Sequence, residues 1–582
     1  MPPEIDQDRI IVRRSPAQEG DELPGDWPPL LRRIYRARSV SSAAEVDHSL
    51  ERLLPPQELG GMEQATALLH GALDAGRRIL IVADFDADGA TSCALAVRAL
   101  RLFGAPDVRY VVPDRFRFGY GLTPEIVEVA AEQNPELLIT VDNGISSIDG
   151  VQAARERGWQ VLITDHHLPG AELPAADAIV NPNQPGDAFP SKALAGVGVI
   201  FYVMLALRAR LRAAGWFNDR GIAEPNLGSL LDLVALGTVA DVVPLDHNNR
   251  ILVARGLARI NGGGACAGID ALARVSGAPV GRLAASDLAF RLAPRLNAAG
   301  RLEDMSLGIE CLLTDSPQRA MELATELDRL NRERREIQTN MQEQALQLLD
   351  ELHLGQESLP KGLCLFDERW HQGVVGLVAS KLKEALHRPV IALAPGEEGE
   401  IKGSARSIPG LHIRDTLDAV AARHPELLRR FGGHAMAAGL TLHEDDLPAF
   451  RAAFEEELGR RLSDEDLQAR ILTDGELRPG EFRLDLAEQL RQAGPWGQGF
   501  PEPLFDGEFD VVTRRVVGER HLKMQLRTPD GTAIDAIAFN LVGDGKAPDW
   551  QRIHAAYRLD VNEYLGTRRL QLLLEHVRPL EG

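Results

Sequence analysis

Three aspartates, Asp84, Asp86 and Asp88, stand one residue apart directly after the apolar run Ile79-Leu80-Ile81-Val82-Ala83. Carboxylates packed this closely repel: a like-charge pair at about 4 Å costs about 4 kcal/mol at an effective dielectric near 20, and a bound cation offsets that cost. Two further apolar runs end the same way. Leu137-Leu138-Ile139-Thr140-Val141 leads into Asp142-Asn143-Gly144, and Val161-Leu162-Ile163-Thr164 leads into Asp165-His166-His167. A single Asp-Gly after a strand is ordinarily a turn, because the aspartate side chain bonds the backbone beside it. His166 and His167 taken alone would fit a core or helix-cap role. Three such clusters on neighbouring strands point instead to a metal or catalytic site. Oxygen donors with one or two imidazoles and no thiolate nearby suit Mn²⁺ or Mg²⁺ better than structural zinc. A pair of such ions promotes in-line displacement at phosphorus, so phosphoester hydrolysis is the reaction class these residues suggest.

The segments between the clusters read as helices: Thr91 to Phe103, Pro124 to Glu132 and Ile148 to Arg157. Strand-helix alternation of this kind predicts a parallel, doubly wound α/β sheet, whose ligand sites gather beyond the carboxyl ends of the strands. An apolar helical stretch, Leu227 to Val239, stops at Asp241 just before Val242-Val243-Pro244. Asp241 is either a turn residue at the helix end or a further acid for the site.

At 582 residues the chain exceeds one core, so three or four domains are expected. Its first residues are polar and carry no signal-peptide core. The longest apolar run, near Val197 to Leu207, is too short to cross a bilayer, so no membrane association is expected. Cys93, Cys266, Cys311 and Cys364 are far apart and form no CxxC pair, as in a protein of the reducing cytoplasm. A net charge of −21 argues against a uniformly basic nucleic-acid coat and confines any such surface to a local patch.

Five regions follow from patterning. Residues 1–60 form an N-terminal extension, 61–260 the strand-helix domain, 261–356 a helical connector, 357–460 a second α/β domain and 461–582 a small β-barrel. The connector ends in a long amphipathic helix from about Ser316 to Leu354, read as a spacer between domains. The second α/β domain contains Gly432-Gly433-His434, where glycine permits close approach to a ligand or simply a tight helix entry. Alternating patterns at Phe505 to Val512, His521 to Arg527 and Ala533 to Phe539 predict an antiparallel barrel of the OB type. Arg514, Arg515, Arg520, His521 and Lys523 cluster there, either on a single-strand-binding surface or on ordinary solvated strand faces.

With these residues in hand, the sequence resembles the DHH phosphoesterases, named for the triplet seen at Asp165, His166 and His167. The resemblance spans nearly the whole chain. It includes Asp84-Phe85-Asp86-Ala87-Asp88-Gly89, Val141-Asp142-Asn143-Gly144, Thr238-Val239-Ala240-Asp241, Pro294-Arg295-Leu296-Asn297-Ala298-Ala299-Gly300-Arg301 and Trp370-His371-Gln372-Gly373. Gly403-Ser404-Ala405-Arg406-Ser407, the Gly-Gly-His stretch and Gly494-Pro495-Trp496-Gly497-Gln498-Gly499 complete the order. The resemblance is narrowest to the branch that digests single-stranded DNA from its 5′ end. It implies a DHH catalytic domain, a DHHA1-like substrate-binding domain at 357–460 and a two-metal site of Asp84, Asp86, Asp88, Asp142, His166 and Asp241. His167 would lie close to the scissile phosphate. Relatives carry histidine where Asp84 stands, which makes Asp84 the least typical ligand. Arg115, Ser404 and Arg406 would hold the 5′-terminal phosphate, and Arg295, Asn297, Arg301 and His434 neighbouring phosphates, since the arginine fork matches phosphate oxygens. Each arginine taken singly also fits a surface salt bridge. The implied enzyme is a monomeric exodeoxyribonuclease of DNA repair and recombination that releases 5′-mononucleotides. Its implied partners are single-stranded DNA, a single-strand-binding protein and a RecQ-type helicase.

Three other readings compete. A phosphodiesterase for short oligoribonucleotides or cyclic dinucleotides ordinarily lacks the long helix and the barrel, and a pyrophosphatase of this family is much shorter. A non-catalytic scaffold would have lost metal ligands, whereas every expected acid and histidine is present here.

Overall fold

A computed structural model describes residues 9–15, 23–113, 118, 121–351, 360–397, 399–518, 520–528, 530–542, 546–564 and 567–580. The chain divides into two compact units, one of residues 17–332 with 491–502, the other of residues 1–16, 333–490 and 503–582.

The first unit is built on a five-stranded sheet in the order Val108–Val111, Ile79–Ala83, Leu137–Val141, Gln160–Thr164, Ala178–Val180. Every neighbouring pair is parallel. Ile79–Ala83 and Leu137–Val141 are buried along their whole length, as apolar strands covered on both faces must be. Side chains alternate between two cores. Ile79, Ile81 and Ala83 pack with helices Ala87–Leu102, Gly196–Ala213 and Leu231–Ala240, while Leu80 and Val82 pack with Ile126, Val127 and Val151 on the other face. The helix expected to begin at Thr91 begins at Ala87, because Asp86 caps it by accepting from the N–H groups of Asp88 and Gly89. The expected apolar helix near Val197 is Gly196–Ala213. Strand order reverses between Ile79–Ala83 and Leu137–Val141, and crevices at such switch points hold the ligands of open α/β sheets.

In the second unit a mixed sheet runs Arg430–Gly433, Ala437–His443, Glu400–Arg406, Val390–Pro395, Leu363–Phe366. Apolar clusters cover both its faces, one centred on Ile391, Leu417 and Phe450, the other on Val378, Leu382 and Trp370. The C-terminal strands Phe505–Val517, His521–Arg527, Ala533–Ala538, Thr567–Pro579 and Arg552–Tyr564 close into a barrel in that order. All its pairs are antiparallel except Ala533–Ala538 with Thr567–Pro579, which is parallel. The long helix is Pro317–Glu351. No helix among the described residues is long and apolar enough to cross a membrane.

Candidate metal centre

Asp84, at the exit of Ile79–Ala83, and Asp142, at the exit of Leu137–Val141, flank the switch point and are almost fully buried. Asp88 lies in the first turn of Ala87–Leu102 and points its carboxylate at the start of helix Gly196–Ala213. The N–H groups of Gly196 and Val197 donate to it at 2.6 and 2.9 Å. A helix N-terminus is a natural anion seat, so the backbone holds this acid in place. Gly196 is required there, since a Cβ would lie 2.5 Å from Asp142 Oδ1.

His166 Nε2 stands 3.1 Å from Asp142 Oδ1 and 3.4 Å from Asp241 Oδ2. Asp241 follows helix Leu231–Ala240, so the structure brings this acid into the crevice. The residue after it, Val242, has φ 62°. That region is strained for a β-branched side chain, and such strain persists where surrounding structure enforces it. Asp142 is also left-handed, at φ 62°.

Three overlapping groups of donors result: Asp84, Asp86 and Asp142; Asp88, His166 and Asp241; and Asp142, His166 and His167. Within each group one donor atom per residue lies within 4.8 Å of the others. The electrostatics match an ion site. Burial, then the charges of Asp88, Asp86 and Asp241, push Asp142 well above the usual carboxylate range. Burial and then Asp86 push Asp88 up to about 7, against the pull of the Val197 and Gly196 N–H groups. Asp241 is raised by burial and then by Asp88 and Asp86. Acids that resist ionisation alone, with an imidazole and no thiolate among them, fit hard divalent cations such as Mn²⁺ and Mg²⁺.

Asp165 has a different task. It is fully buried, accepts from Ile145 N–H at 2.9 Å, and its Oδ1 lies 2.7 Å from His167 Nδ1. Burial would lower the His167 pKa, but the hydrogen bond and charge of Asp165 outweigh it and hold His167 at about 9. Two asparagines complete the clamp, Asn181 donating to His167 O at 2.9 Å and Asn183 to His166 O at 2.6 Å. Sequence reasoning gave no role to these asparagines. Asp165 was visible only as part of the triplet, and its carboxylate is committed to the N–H groups of Ile145, His166 and His167 and to the His167 ring rather than to an ion.

Of the expected phosphate ligands, Asn297 reaches the centre through its acceptor: its Oδ1 takes the Ala87 N–H at 2.8 Å. Arg295 is buried and committed to Asp328, with Nε at 2.9 Å and Nη2 at 2.7 Å from Oδ1. Arg301 lies partly buried in the last turn of helix Ala293–Leu302. In the other unit, Arg406 Nη1 donates to Ser404 Oγ at 2.7 Å and Nε to Ser380 Oγ at 3.1 Å, while His434 is exposed in the turn before Ala437–His443. Arg115 lies outside the described residues.

Known proteins share this domain order and fold. The model of the DHH family N-terminal domain matches residues 78–238, that of the DHHA1 domain residues 359–460, and that of the RecJ OB domain residues 473–576. Fold and donor set therefore define a DHH phosphoesterase. The chain is 55% identical over 572 residues to the single-stranded-DNA-specific exonuclease RecJ of Dickeya dadantii (strain 3937), covering 98% of this chain and 99% of that one. It is 52% identical over 575 residues to the RecJ of Escherichia coli (strain K12), covering 98% of this chain and 100% of that one. The crystal structure of RecJ in complex with Mn²⁺ from Thermus thermophilus matches with a TM-score of 0.77 at 33% identity, covering 95% of this chain and 76% of that one. The chain belongs to the RecJ family of single-stranded-DNA-specific exonucleases.

Proposed function

We propose that this protein degrades single-stranded DNA from the 5′ end to 5′-mononucleotides by metal-dependent phosphodiester hydrolysis. The observation that carries the reading is the convergence of Asp84, Asp86, Asp88, Asp142, His166 and Asp241 at the sheet's switch point, in donor groups that share Asp142 and His166. Two Mn²⁺ or Mg²⁺ ions bound there supply Lewis-acid chemistry at phosphorus. The chain's own groups do the rest. Asp165 fixes the ring of His167 through Nδ1, so that the other ring nitrogen is the one free to serve a phosphate oxygen of the scissile bond. Asn297 holds the backbone at Ala87 and with it the aim of Asp86.

Ser404, Arg406 and Arg115 recognise the 5′-terminal phosphate, and Arg301, Arg295, Asn297 and His434 serve neighbouring nucleotides. The division of labour follows the chain: an extension at 1–60, hydrolysis at 61–260, a connector at 261–356, substrate binding at 357–460 and strand binding at 461–582. Barrel support comes from the outer face of its first three strands, where Arg515 lies opposite Lys523 and His521 packs edge-on to the exposed ring of Phe539 with centroids 5.0 Å apart. That is the face on which OB folds bind oligonucleotides. The protein acts in the cytoplasm as a monomer in repair and recombination, alongside a single-strand-binding protein and a RecQ-type helicase.

The test is digestion of single-stranded and duplex DNA labelled at either end, with and without Mn²⁺. Early release of a 5′ label as mononucleotide, from single strands only and only with metal, is expected. Early release of the 3′ label, or equal attack on duplex, overturns the reading.

A further inference from the structure

Phe290 leaves 73% of its surface open, more than any other large apolar side chain among the described residues. It sits in a π-helical turn, Leu288–Leu292, between the helical segments Ala285–Asp287 and Ala293–Leu302. The turn is marked by Ala293 N–H donating to Leu288 O, and the Arg291 carbonyl within it accepts the guanidinium of Arg295. Such single π-turns recur at functional sites, because the extra residue re-aims the side chains around it.

The same helical run is anchored at the metal centre. Asn297 holds the Ala87 N–H, and Gly300 presses so closely on Phe85 that a Cβ there would meet its carbonyl oxygen at 1.8 Å. Phe290 precedes Asn297 by seven residues along this helical run, which places it about 10 Å from Asn297 along the axis at about 1.5 Å per residue, and the π-turn that carries it sets its ring outward. Its immediate setting is polar. Ser286 and Arg291 are exposed, while Leu288 and Leu292 turn inward to the core. Protein partners bind contiguous apolar patches, and a lone ring bordered by a cation is not one. A nucleobase is a better occupant, since stacking needs a single aromatic face and tolerates any sequence.

We propose that Phe290 is a stacking platform for a base within the first few nucleotides of the scissile bond, and so a positioning residue of the exonuclease. The proposal rests on the function argued above. The test compares the parent with Phe290→Ala, Phe290→Trp and Phe290→Leu, measuring steady-state digestion of oligodeoxynucleotides that carry one abasic residue scanned through about the first six positions. For intact strands, Phe290→Ala should raise KM by roughly 5- to 100-fold, the scale of one lost base stack, with a smaller change in kcat. Phe290→Trp should restore KM and Phe290→Leu should not. An abasic residue at one position should slow the parent and leave Phe290→Ala indifferent. An unchanged KM for Phe290→Ala, rescue by leucine, or the same penalty in both proteins at every abasic position would overturn the stacking role while parental digestion of intact strands upholds the exonuclease. A parent that leaves intact strands undigested in Mn²⁺ overturns both.

Discussion

The metal crevice and the strand carrying Ser404 and Arg406 handle charge in opposite ways. In the crevice, like-charged groups are buried together, and their carboxyl pKa values are pushed up because each has lost water and feels its neighbours' charge. Arg406 also loses hydration, which lowers its pKa, yet its donors already meet Ser404, Ser380 and the Ala405 carbonyl. The first arrangement is complete only with a ligand bound. The second is already satisfied by protein acceptors, so a phosphate bound there would exchange one set of acceptors for another. On the function proposed above, the difference predicts where sensitivity lies: loss of a donor from the crevice should remove chemistry, and loss of a donor from the strand should weaken recognition.

The sharpest break of that contrast is Asp86→Ala or His166→Ala. Either should lower single-strand digestion by about 10³-fold or more, the scale seen when one member of a catalytic group acting as a unit is removed. Asp165→Asn should cost less, about 10- to 100-fold, because it disorients His167 rather than removing a ligand. Rates of mononucleotide release at saturating Mn²⁺ measure both. An Asp86→Ala protein as active as its parent would make the crevice an ornament of the fold.

The strand's side of the contrast is sharpened by Arg406→Ala. One charge-assisted hydrogen bond is worth about 1.5 to 3 kcal/mol, so KM for a 5′-phosphorylated strand should rise roughly 10- to 150-fold, with little change for a 5′-hydroxyl strand. Equal losses on both strands would assign Arg406 to packing instead.

These two regions were also unequally legible. The acids announced themselves because each follows an apolar strand, and a parallel sheet collects strand exits on one edge. Even the helix start was concealed, since Asp86 serves as cap and donor together and moves the helix back to Ala87. The hidden parts depend on residues distant in sequence. The partner that orients Arg295 is Asp328 on the long helix, 33 residues away, and the clamp of Asn181 and Asn183 on the histidines follows no local pattern. The strained Val242 beside Asp241 has no signature at all, because strain belongs to the folded surroundings.

Titration probes the crevice more gently. Asp88 has a folded pKa of about 7 against an ordinary carboxylate value when unfolded, so the folded state keeps a proton that the unfolded state has released. Its raised pKa therefore costs nothing below about pH 4, and the metal-free fold loses stability as pH rises from there to about 7. Asp142 and Asp241, raised in the same direction, add to that loss. Mn²⁺ replaces those protons, so its stabilising effect should grow from pH 5.5 to pH 8. At about 100 times the dissociation constant the gain is about 2.7 kcal/mol. Thermal midpoints with chelator and with Mn²⁺ across that range measure it, and a metal-induced shift that shrinks with pH would deny that the acids are the ligands.

The smallest effect belongs to the barrel, and it separates recognition by charge from recognition by geometry. Lys523 pairs only loosely with Asp535, at 3.6 Å, and stands opposite Arg515 on the outer face. If Lys523 neutralises one phosphate, Lys523→Ala removes one counterion-release step, and the slope of log affinity against log salt should flatten by about 0.7 for single strands. Affinity should fall evenly across sequences, because phosphate contacts carry no base information. Titration of a labelled oligothymidylate at several salt concentrations, with metal replaced by chelator, reads the slope. An unchanged slope with weaker binding would transfer the barrel's share to stacking on Phe539, and Phe539→Ala would then show the larger loss.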